Sequence, residues 1–274
     1  QGAIGCFEEA CRNVVCTGAN PIGMVDHLQF GNPEDPEIFW TFMESLEGLS
    51  DFAKFLRIPC VGGKVSFYNE TPSGPIKPTP LIGVLGIIDE SPLIPIPPSN
   101  SDYLLIVGKT KDELGGSEYF EYIHKFIGGN CPTVDFKTSK INMITVLSLI
   151  KNNLIKCVHD CSKGGFAIAL AELSINGNIG CNIDIEKIPS IKNLNDEKIL
   201  FSESHSRYLL VVDEKHITHV KQYLSKQKIL FGVLGKFSGD QISITHKSNN
   251  LVKCNVDMMR KRYFNGLEDL LKHG

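Results

Sequence analysis

Apolar residues recur along the chain with two different periods, which predicts a mixture of helices and strands. Between residues 39 and 56 they return every three or four positions, the period of an amphipathic helix. Asn32-Pro33 precedes this stretch as a helix start signal, and the pattern stops before Ile58-Pro59. The same period predicts a first helix over residues 3–16.

Short runs rich in β-branched residues predict strands that alternate with further helices. Strands are expected over 60–63 and 81–88. Later in the chain we expect strands over 103–107, 156–159, 181–185, 207–212, 229–236 and 241–245, and helices over 117–127, 139–154, 164–176, 214–226 and 257–272. This alternation predicts an α/β or α+β fold.

A proline-rich segment separates the two stretches of regular pattern. Residues 91–99, SPLIPIPPS, hold four prolines and cannot form a regular helix or a central strand. We therefore predict an N-terminal α/β domain over 1–90, a linker over 91–100 and a C-terminal α+β domain over 101–274.

Composition and charge exclude some classes of partner. The 274 residues carry a net charge of -3, from 28 basic and 31 acidic side chains, so nothing favours nucleic acid or an anionic membrane. Apolar stretches are interrupted by Gly and Pro and are shorter than the ~20 residues of a membrane helix. Nine cysteines without a CxxC pair indicate reduced thiols and a cytoplasmic protein. The start without Met suggests a piece of a longer polypeptide.

Residues 159–172, HDCSKGGFAIALAE, combine a strand end, a glycine pair and the start of a helix. Backbone N–H groups at such a turn face an anion, and Asp160 is placed to hold its cation. The alternative is that Gly164 and Gly165 only make a tight turn. His159 stands beside Asp160, whereas the other histidines, His205 among them, are interpreted as surface or capping residues.

Three other segments carry polar residues that could bind a cation or a phosphate. Glu9 and Asn13 share a helix face, which suits either two ligands of one cation or a solvated surface. Asp26 follows a strand-like stretch and is either a strand-end carboxylate or a turn residue. Residues 61–71, VGGKVSFYNET, follow a strand with glycines, a lysine and a serine that suit a phosphate, without Walker spacing.

Two further motifs have plain structural alternatives. In LGGSEY, residues 114–119, Ser117 suits a helix N-cap. In LFSESHSRY, residues 200–208, Glu203 and Arg207 are four apart, and Arg207 is either part of a site or a surface ion-pair partner.

Taken together, these strings resemble the second half of the synthetase in the phosphoribosylformylglycinamidine synthase family of purine biosynthesis. The strings that carry the resemblance are FEEACRNVVCTGANPIGMVDHLQFGNPEDPEIFW, IPCVGGKVSFYNET, PTPLIGVLGIID, LGGSEY, VHDCSKGGFAIALAE and LFSESHSRY. They span nearly the whole chain. The HD-x-S-x-GG turn alone is shared by the wider aminoimidazole ribonucleotide synthetase-like superfamily.

The resemblance implies the fold and the reaction. The fold would be one aminoimidazole ribonucleotide synthetase-like half, with an N-terminal domain that adds strands to a shared barrel and a C-terminal α+β domain. The enzyme is an ATP-dependent C–N ligase that uses Mg²⁺. ATP phosphorylates the amide oxygen of formylglycinamide ribonucleotide, and ammonia then displaces phosphate to give formylglycinamidine ribonucleotide.

The resemblance also implies partners. They are the N-terminal half of the synthetase and a glutamine amidotransferase that supplies ammonia, with a dimer through the barrel domain as a further arrangement. No nucleic acid or membrane is expected. The catalytic residues of the family belong to the first half, so none is expected in this chain.

Position by position, the resemblance implies roles for seven residues. They are nucleotide binding by Asp26, Gly63 and Ser162, substrate binding by Ser66, and magnesium binding by Glu9, Asn13 and Asp160. We expect them to converge on one magnesium-bound nucleotide at a cleft shared by the two domains.

Two lysines depart from the family pattern. Lys64 stands where many members have a metal-binding Asn, and Lys163 where Asp is usual. A protonated lysine cannot bind Mg²⁺ but can contact a phosphate. Two readings besides the catalytic half therefore stay open: a non-catalytic, structural nucleotide-binding half, and another ATP-using member of the superfamily.

Overall fold

The structure is a computed structural model that describes residues 1–88 and 95–273. Its first part contains α1 (Gly2–Cys16), β1 (Asn20–Gln29), α2 (Pro36–Leu56), β2 (Cys60–Ser66), β3 (Glu70–Thr71), β4 (Gly74–Pro75) and β5 (Thr79–Ile87). Strand β1 is central in a three-stranded sheet, parallel to β2 and antiparallel to β5, while β3 and β4 form a small hairpin.

The second part is built around a mixed sheet of seven strands in the order β12-β11-β8-β10-β6-β9-β7. Its elements are β6 (Tyr103–Val107), α3 (Glu118–His124), α4 (Phe136–Lys151), β7 (Cys157–Asp160), α5 (Gly165–Gly177), β8 (Cys181–Asp184), a 3₁₀ turn (Ile185–Lys187), α6 (Asp196–Phe201), β9 (Tyr208–Val212), α7 (Ile217–Lys226), β10 (Phe231–Phe237), β11 (Gln241–His246), β12 (Asn249–Asn255) and α8 (Val256–His273).

Both faces of the seven-stranded sheet are covered, because alternate residues of its central strands enter two cores. Leu105 and Leu210 pack in one core with Val146 of α4, while Leu104 and Leu209 pack in the other with residues of α5. Strand β9 is buried along its whole length. This explains why its sequence is an unbroken apolar run.

Helix α1 connects the two parts. It packs on β5 and α2 of the first part and on β7 and α4 of the second. Its residues Phe7, Cys11 and Val15 are fully buried in a core that continues from the three-stranded sheet to the seven-stranded one. The position of α1 is therefore fixed by tertiary packing on both sides.

Among the described residues, none covers one face of the three-stranded sheet. On this face its strands carry apolar side chains that are more than one third exposed, namely Ile22, Val25, Val61, Leu81, Leu85 and Ile87. Helix α2, on the other face of the sheet, also exposes Phe39, Trp40 and Met43. An exposed apolar sheet face of this kind is typical of a protein–protein interface.

The fold class expected from the sequence is confirmed, but several element bounds differ. Helix α2 begins at Pro36, because the Asp35 side chain caps it, and Asn32 instead bonds Glu34 in the preceding turn. Helix α3 ends at His124, since Lys125 adopts a left-handed conformation. Helix α6 and strand β12 were not predicted, because α6 is short and β12 is a half-exposed edge strand of polar sequence.

The predicted linker over 91–100 falls partly outside the described residues, which resume at 95. The predicted bounds of the two domains therefore stay predictions. In the described ranges, none of the helices has the length and apolar content required to cross a membrane.

Two candidate ligand-binding clusters

The first cluster lies on the pair β1 and β2, where Asp26 and Gly63 are direct neighbours in the parallel register. The Cys60 thiol donates to Asp26 Oδ2 at 3.4 Å. A Cβ atom at Gly63 would lie 2.4 Å from Asp26 Oδ1. The Asp26 carboxylate therefore lies over residue 63, and only glycine leaves room for it.

The other predicted residues of β2 lie farther along the strand. Ser66 pairs with Gln29, about 10 Å from Gly63 at the usual rise per residue. Its hydroxyl accepts a hydrogen bond from Asn69 Nδ2 at 3.2 Å. Lys64 is exposed and, by strand alternation, lies on the sheet face opposite to Gly63. Lys64 therefore does not take a place beside Asp26.

A cavity of about 490 Å³ opens between α2 and the start of β2. Asp26 lines it together with Met24, because both side chains lie on the face of β1 that packs toward α2. Lys54 and Arg57 contribute cations at the C-terminal end of α2. The cavity is thus mainly apolar, with one carboxylate and two cations at its rim.

The second cluster surrounds the end of β7, where Asp160 is buried. The Ser162 hydroxyl donates to Asp160 Oδ2. Arg12 of α1 reaches the same turn, with its Nη2 at 2.8 Å from Ser162 Oγ and 3.7 Å from Asp160 Oδ2. Residues of the two parts of the molecule therefore meet at this turn.

Arg12 also pairs with Glu8, one helical turn earlier on α1, and both side chains are buried. Glu8 Oε1 accepts from Ser139 at 3.0 Å and from Ser206 at 3.1 Å. Burial alone would raise the pKa of Glu8, but the charge of Arg12 and the hydrogen bond with His205 outweigh it and lower that pKa. Glu8 is therefore a charged, fully paired carboxylate.

The glycine turn at the start of α5 is already bound by a side chain. Gly164 and Gly165 adopt positive φ angles of 72° and 64°, which glycine accepts without strain. Glu203 Oε1 accepts from the backbone N–H of Gly164 at 2.8 Å and from that of Glu118 at 2.9 Å. Burial raises the pKa of Glu203, although these two bonds act in the opposite direction. A phosphate at this turn would have to displace the carboxylate of Glu203.

A second cavity of about 490 Å³ lies beside this turn, between α1 and loops of the second part. Its walls include Glu9 from α1, Ser162 and Lys163 from the turn, and two glycine pairs at 115–116 and 128–129. Glycine-rich walls let a ligand approach the backbone closely. The volume lies within the usual range for small-molecule sites, about 300–1,000 Å³.

The seven predicted residues are thus divided between two clusters. Asp26, Gly63 and Ser66 belong to the β1–β2 pair, while Glu9 and Ser162 line the cavity beside the glycine turn and Asp160 bonds Ser162. The expectation of one shared cleft is not met in this chain, because the Asp26 side chain faces α2. Asn13 is exposed on α1. The individual roles of the seven residues stay predictions.

The predicted magnesium ligands do not form a fitting donor set. Asp160 Oδ2 already accepts from Ser162 and faces the guanidinium of Arg12. Over the ranges 1–88 and 95–273, no group of three or more His, Cys, Asp or Glu residues is arranged to hold a metal ion. Lys163 pairs with Glu118 at 2.9 Å, so it adds no ligand. The residues present therefore do not fit a magnesium ion bound by Asp160.

Sequence reasoning missed the buried polar residues of the second cluster. Glu8 and Arg12 resemble an exposed pair at i and i+4, but they lie on the same helix stripe as Phe7, Cys11 and Val15. The signal that could have revealed their burial is the presence of two charged residues within the apolar stripe of a helix.

Two interpretations were wrong. His205 is largely buried, with Nδ1 at 3.3 Å from Glu8 Oε2. Arg207 is fully buried and does not pair with Glu203; its guanidinium donates to the carbonyl groups of Ser202 and Ser204 and to Thr110 Oγ1. Ser117 does cap α3, as its motif suggests.

The sheet order, the bridging helix α1 and the strand–glycine turn–helix unit define a two-part α/β protein of the AIR synthase type. Residues 1–88 match the N-terminal domain and residues 101–247 the C-terminal domain of AIR synthase related proteins. The chain belongs to the family of AIR synthase related proteins.

Curated relatives make the resemblance more specific. The chain is 38% identical over 272 residues to phosphoribosylformylglycinamidine synthase subunit PurL of Thermococcus sibiricus and 39% identical over 278 residues to that of Methanocaldococcus jannaschii. The matches cover 99% and 98% of this chain but 37% of each relative. The expected resemblance is therefore confirmed, and the chain spans little more than a third of these relatives.

Solved structures show the same fold. A Thermotoga maritima PurL complexed with ATP gives a TM-score of 0.74 at 19% identity, over 94% of this chain and 41% of that one. The hydrogenase maturation protein HypE gives a TM-score of 0.66 at 15% identity, over 92% of this chain and 82% of that one.

Proposed function

We propose that this chain is the second half of an ATP-dependent synthetase that converts formylglycinamide ribonucleotide and ammonia to formylglycinamidine ribonucleotide. The identity of 38–39% to PurL subunits over nearly the whole chain carries this proposal. Thermotoga maritima PurL has been solved in complex with ATP and in complex with FGAR, which supports ATP and the ribonucleotide as substrates here. Mg²⁺ enters the proposal as the companion of ATP, with no residue of this chain assigned to it.

The proposed partner is the first half of the synthetase, docked on the uncovered face of the three-stranded sheet. That face carries Val25, Leu81 and Leu85, all exposed in this chain. Closing such a sheet with strands from a similar half would form the expected barrel and bury this apolar surface. A glutamine amidotransferase, as the source of ammonia, completes the proposed assembly.

In this proposal the β1–β2 cluster serves the reacting site. Asp26 and Gly63 contact the nucleotide, and Ser66 contacts the ribonucleotide from the same strand pair. The cluster belongs to the sheet that the partner half would complete, with Asp26 on the α2 side of that sheet.

The test is ATP consumption by the assembled enzyme as formylglycinamide ribonucleotide is varied. Ser66→Ala should raise the KM for the ribonucleotide several-fold with little change in kcat. The reason is that the lost contact stabilises the bound ribonucleotide equally in the ground state and in the transition state. Ser73→Ala, an exposed serine in the nearby hairpin, is the matched control. Wild-type kinetics for Ser66→Ala would contradict its role, and ATP use that ignores the ribonucleotide would contradict the proposed activity.

A second function, a structural nucleotide held beside the glycine turn, has its own support. The cavity between α1 and the paired glycines is separate from Asp26, and Ser162 lines it. ADP that stays with the purified protein and does not exchange with labelled ADP during turnover would favour this function. Its absence from protein prepared without denaturant would count against it.

A further inference from the structure

The guanidinium of Arg12 occupies the centre of the polar cluster at the glycine turn. Its side chain is 1% exposed, and it contacts carboxylates on two sides. One nitrogen bonds Glu8, while the other donates to Ser162 Oγ at 2.8 Å and lies 3.7 Å from Asp160 Oδ2. The same nitrogen also points to the carbonyl of Cys161 at 3.4 Å. A single cation thus joins α1 to the whole turn.

Of the guanidinium groups that the structure describes, Arg12 is the one that faces both carboxylates of this cluster, Glu8 and Asp160. A guanidinium stays protonated at every physiological pH, so Arg12 is a permanent cation. Burial alone would lower the pKa of Arg12, but the charges of Glu8 and Asp160 outweigh it and raise that pKa. A divalent cation bound at Asp160 would lie close to this positive charge in a buried setting, where repulsion is strong.

The Asp160 oxygen nearest to Arg12 is also engaged. Oδ2 accepts from Ser162 and faces Arg12, while His159 Nδ1 bonds the backbone carbonyl of Asp160 at 2.7 Å and not its side chain. Glu8 is in turn bonded by Ser139, Ser206 and Arg12. Cation binding at this turn would require Arg12 to leave, because both oxygens of Glu8 and Oδ2 of Asp160 already face donors from the protein.

We infer that Arg12 is the resident cation of the Asp160–Ser162 turn and stands where the family resemblance leads one to expect magnesium. Arg12 is a positioning residue: it fixes the Ser162 hydroxyl and keeps divalent cations away from Asp160. The part that concerns Ser162 as a nucleotide contact rests on the proposed function, whereas the exclusion of metal rests on the geometry of Arg12 alone.

The experiment counts Mn²⁺ ions, as a probe for Mg²⁺, bound by the full chain in its native assembly without nucleotide. Isothermal titration and the electron paramagnetic resonance signal of free Mn²⁺ give the stoichiometry. Wild type and Asp160→Asn should bind equal numbers of ions. Arg12→Gln should bind one more, because it uncovers Glu8 and Asp160, and Arg12→Gln with Asp160→Asn should lose that extra ion.

Exposed Arg262→Gln on α8 is the matched control and should bind Mn²⁺ as wild type does. One ion more in wild type than in Asp160→Asn would overturn the inference, since Asp160 would then be a metal ligand. No extra ion in folded Arg12→Gln would also overturn it. If Arg12→Gln does not fold, wild type against Asp160→Asn decides alone, because neither removes Arg12. Metal stoichiometry is measured without turnover. A failure of the inference about Arg12 can therefore be distinguished from a failure of the proposed reaction.

Discussion

The two sheets of the molecule differ in how much of their apolar surface this chain covers. In the seven-stranded sheet, β9 is buried from end to end and both faces pack against helices. In the three-stranded sheet, Val25 of β1 is 39% exposed and Leu85 of β5 is 54% exposed. One sheet is complete within the chain, whereas the other has a second face that nothing in the described residues covers.

This difference separates stability from assembly. Apolar side chains of the seven-stranded sheet contribute to folding through their own cores, since they lose their contact with water within the chain. The exposed side chains of the three-stranded sheet contribute little to folding, and they gain burial only when another surface docks. Substitutions in the two sheets should therefore change different measurements.

The largest expected effect comes from truncating a central side chain of the covered sheet. Leu209→Ala should lower the free energy of unfolding by about 2–5 kcal/mol, because the site is fully buried and leaves a cavity. Leu85→Ala, the matched change in the uncovered sheet, should cost less than about 0.5 kcal/mol. Urea unfolding of both variants checks this. Equal losses would show that the sheets do not differ in the way described.

Glu8→Gln tests the polar contacts that hold α1 between the two parts. The change leaves buried Arg12 without its closest anion and should cost about 3 kcal/mol in the free energy of unfolding. The folded pKa of Glu8 is lowered from its usual 4.5, so its contribution is present above that pH and is lost as pH falls through the lowered pKa.

The variant should therefore lose stability less steeply than wild type on acidification. Glu44→Gln on the exposed side of α2 is the control and should leave the curve unchanged. Parallel acid unfolding curves for Glu8→Gln and wild type would contradict the assignment of a charged, paired Glu8.

Leu85→Asp tests the uncovered face as the surface for the proposed first half. A charge at the centre of an apolar interface should weaken association about tenfold or more, equivalent to ~1.4 kcal/mol or above. Sedimentation velocity of the mixed halves measures this. Exposed Leu230→Asp in the second part is the control. Wild-type affinity for Leu85→Asp would place the interface elsewhere.

The smallest expected effect concerns His159, at the edge strand β7. Burial alone would lower the pKa of His159, but the hydrogen bonds with Glu172 and with the Asp160 carbonyl outweigh it and raise that pKa. Its contribution is therefore present below pH 6.5 and is lost as pH rises through the raised pKa. His159→Gln should abolish this loss, which we expect to be about 0.5 kcal/mol for a partly exposed pair.

Thermal unfolding between pH 6 and pH 9 measures the effect of His159. The exposed His219→Gln variant on α7 should keep the wild-type pH dependence. A wild-type slope of the opposite sign over this range would show that the interaction with Glu172 does not favour the protonated ring.

The sequence predicts an element well when the pattern that reveals it lies within the element itself. Helix α2 and strands β6 and β9 were predicted from apolar periodicity and apolar runs, since these record burial directly. Strand β12 was missed, because its stability comes from pairing with β11, and no periodicity in NNLVKCN records that pairing.

The candidate site was predictable only in part. The motifs located Asp26, Gly63 and Asp160 at strands, where the structure has them. They did not show that Asp26 faces α2, because the face of a strand residue depends on which side of the sheet the helix packs. They also did not show Arg12 at Asp160, since this contact joins residues 148 positions apart in the chain, a separation that no local pattern encodes.

The position of α1 has a mechanical consequence. One helix is wedged between the two sheets and acts as a strut, because it packs on β5 and α2 on one side while its buried charges bond Ser139 and Ser162 of the second part on the other. A hinge rotation of one sheet against the other would have to break the bonds of Glu8 and Arg12 at once. Movement during a binding cycle should therefore be confined to side chains and to the glycine loops around the second cavity, while the scaffold stays rigid.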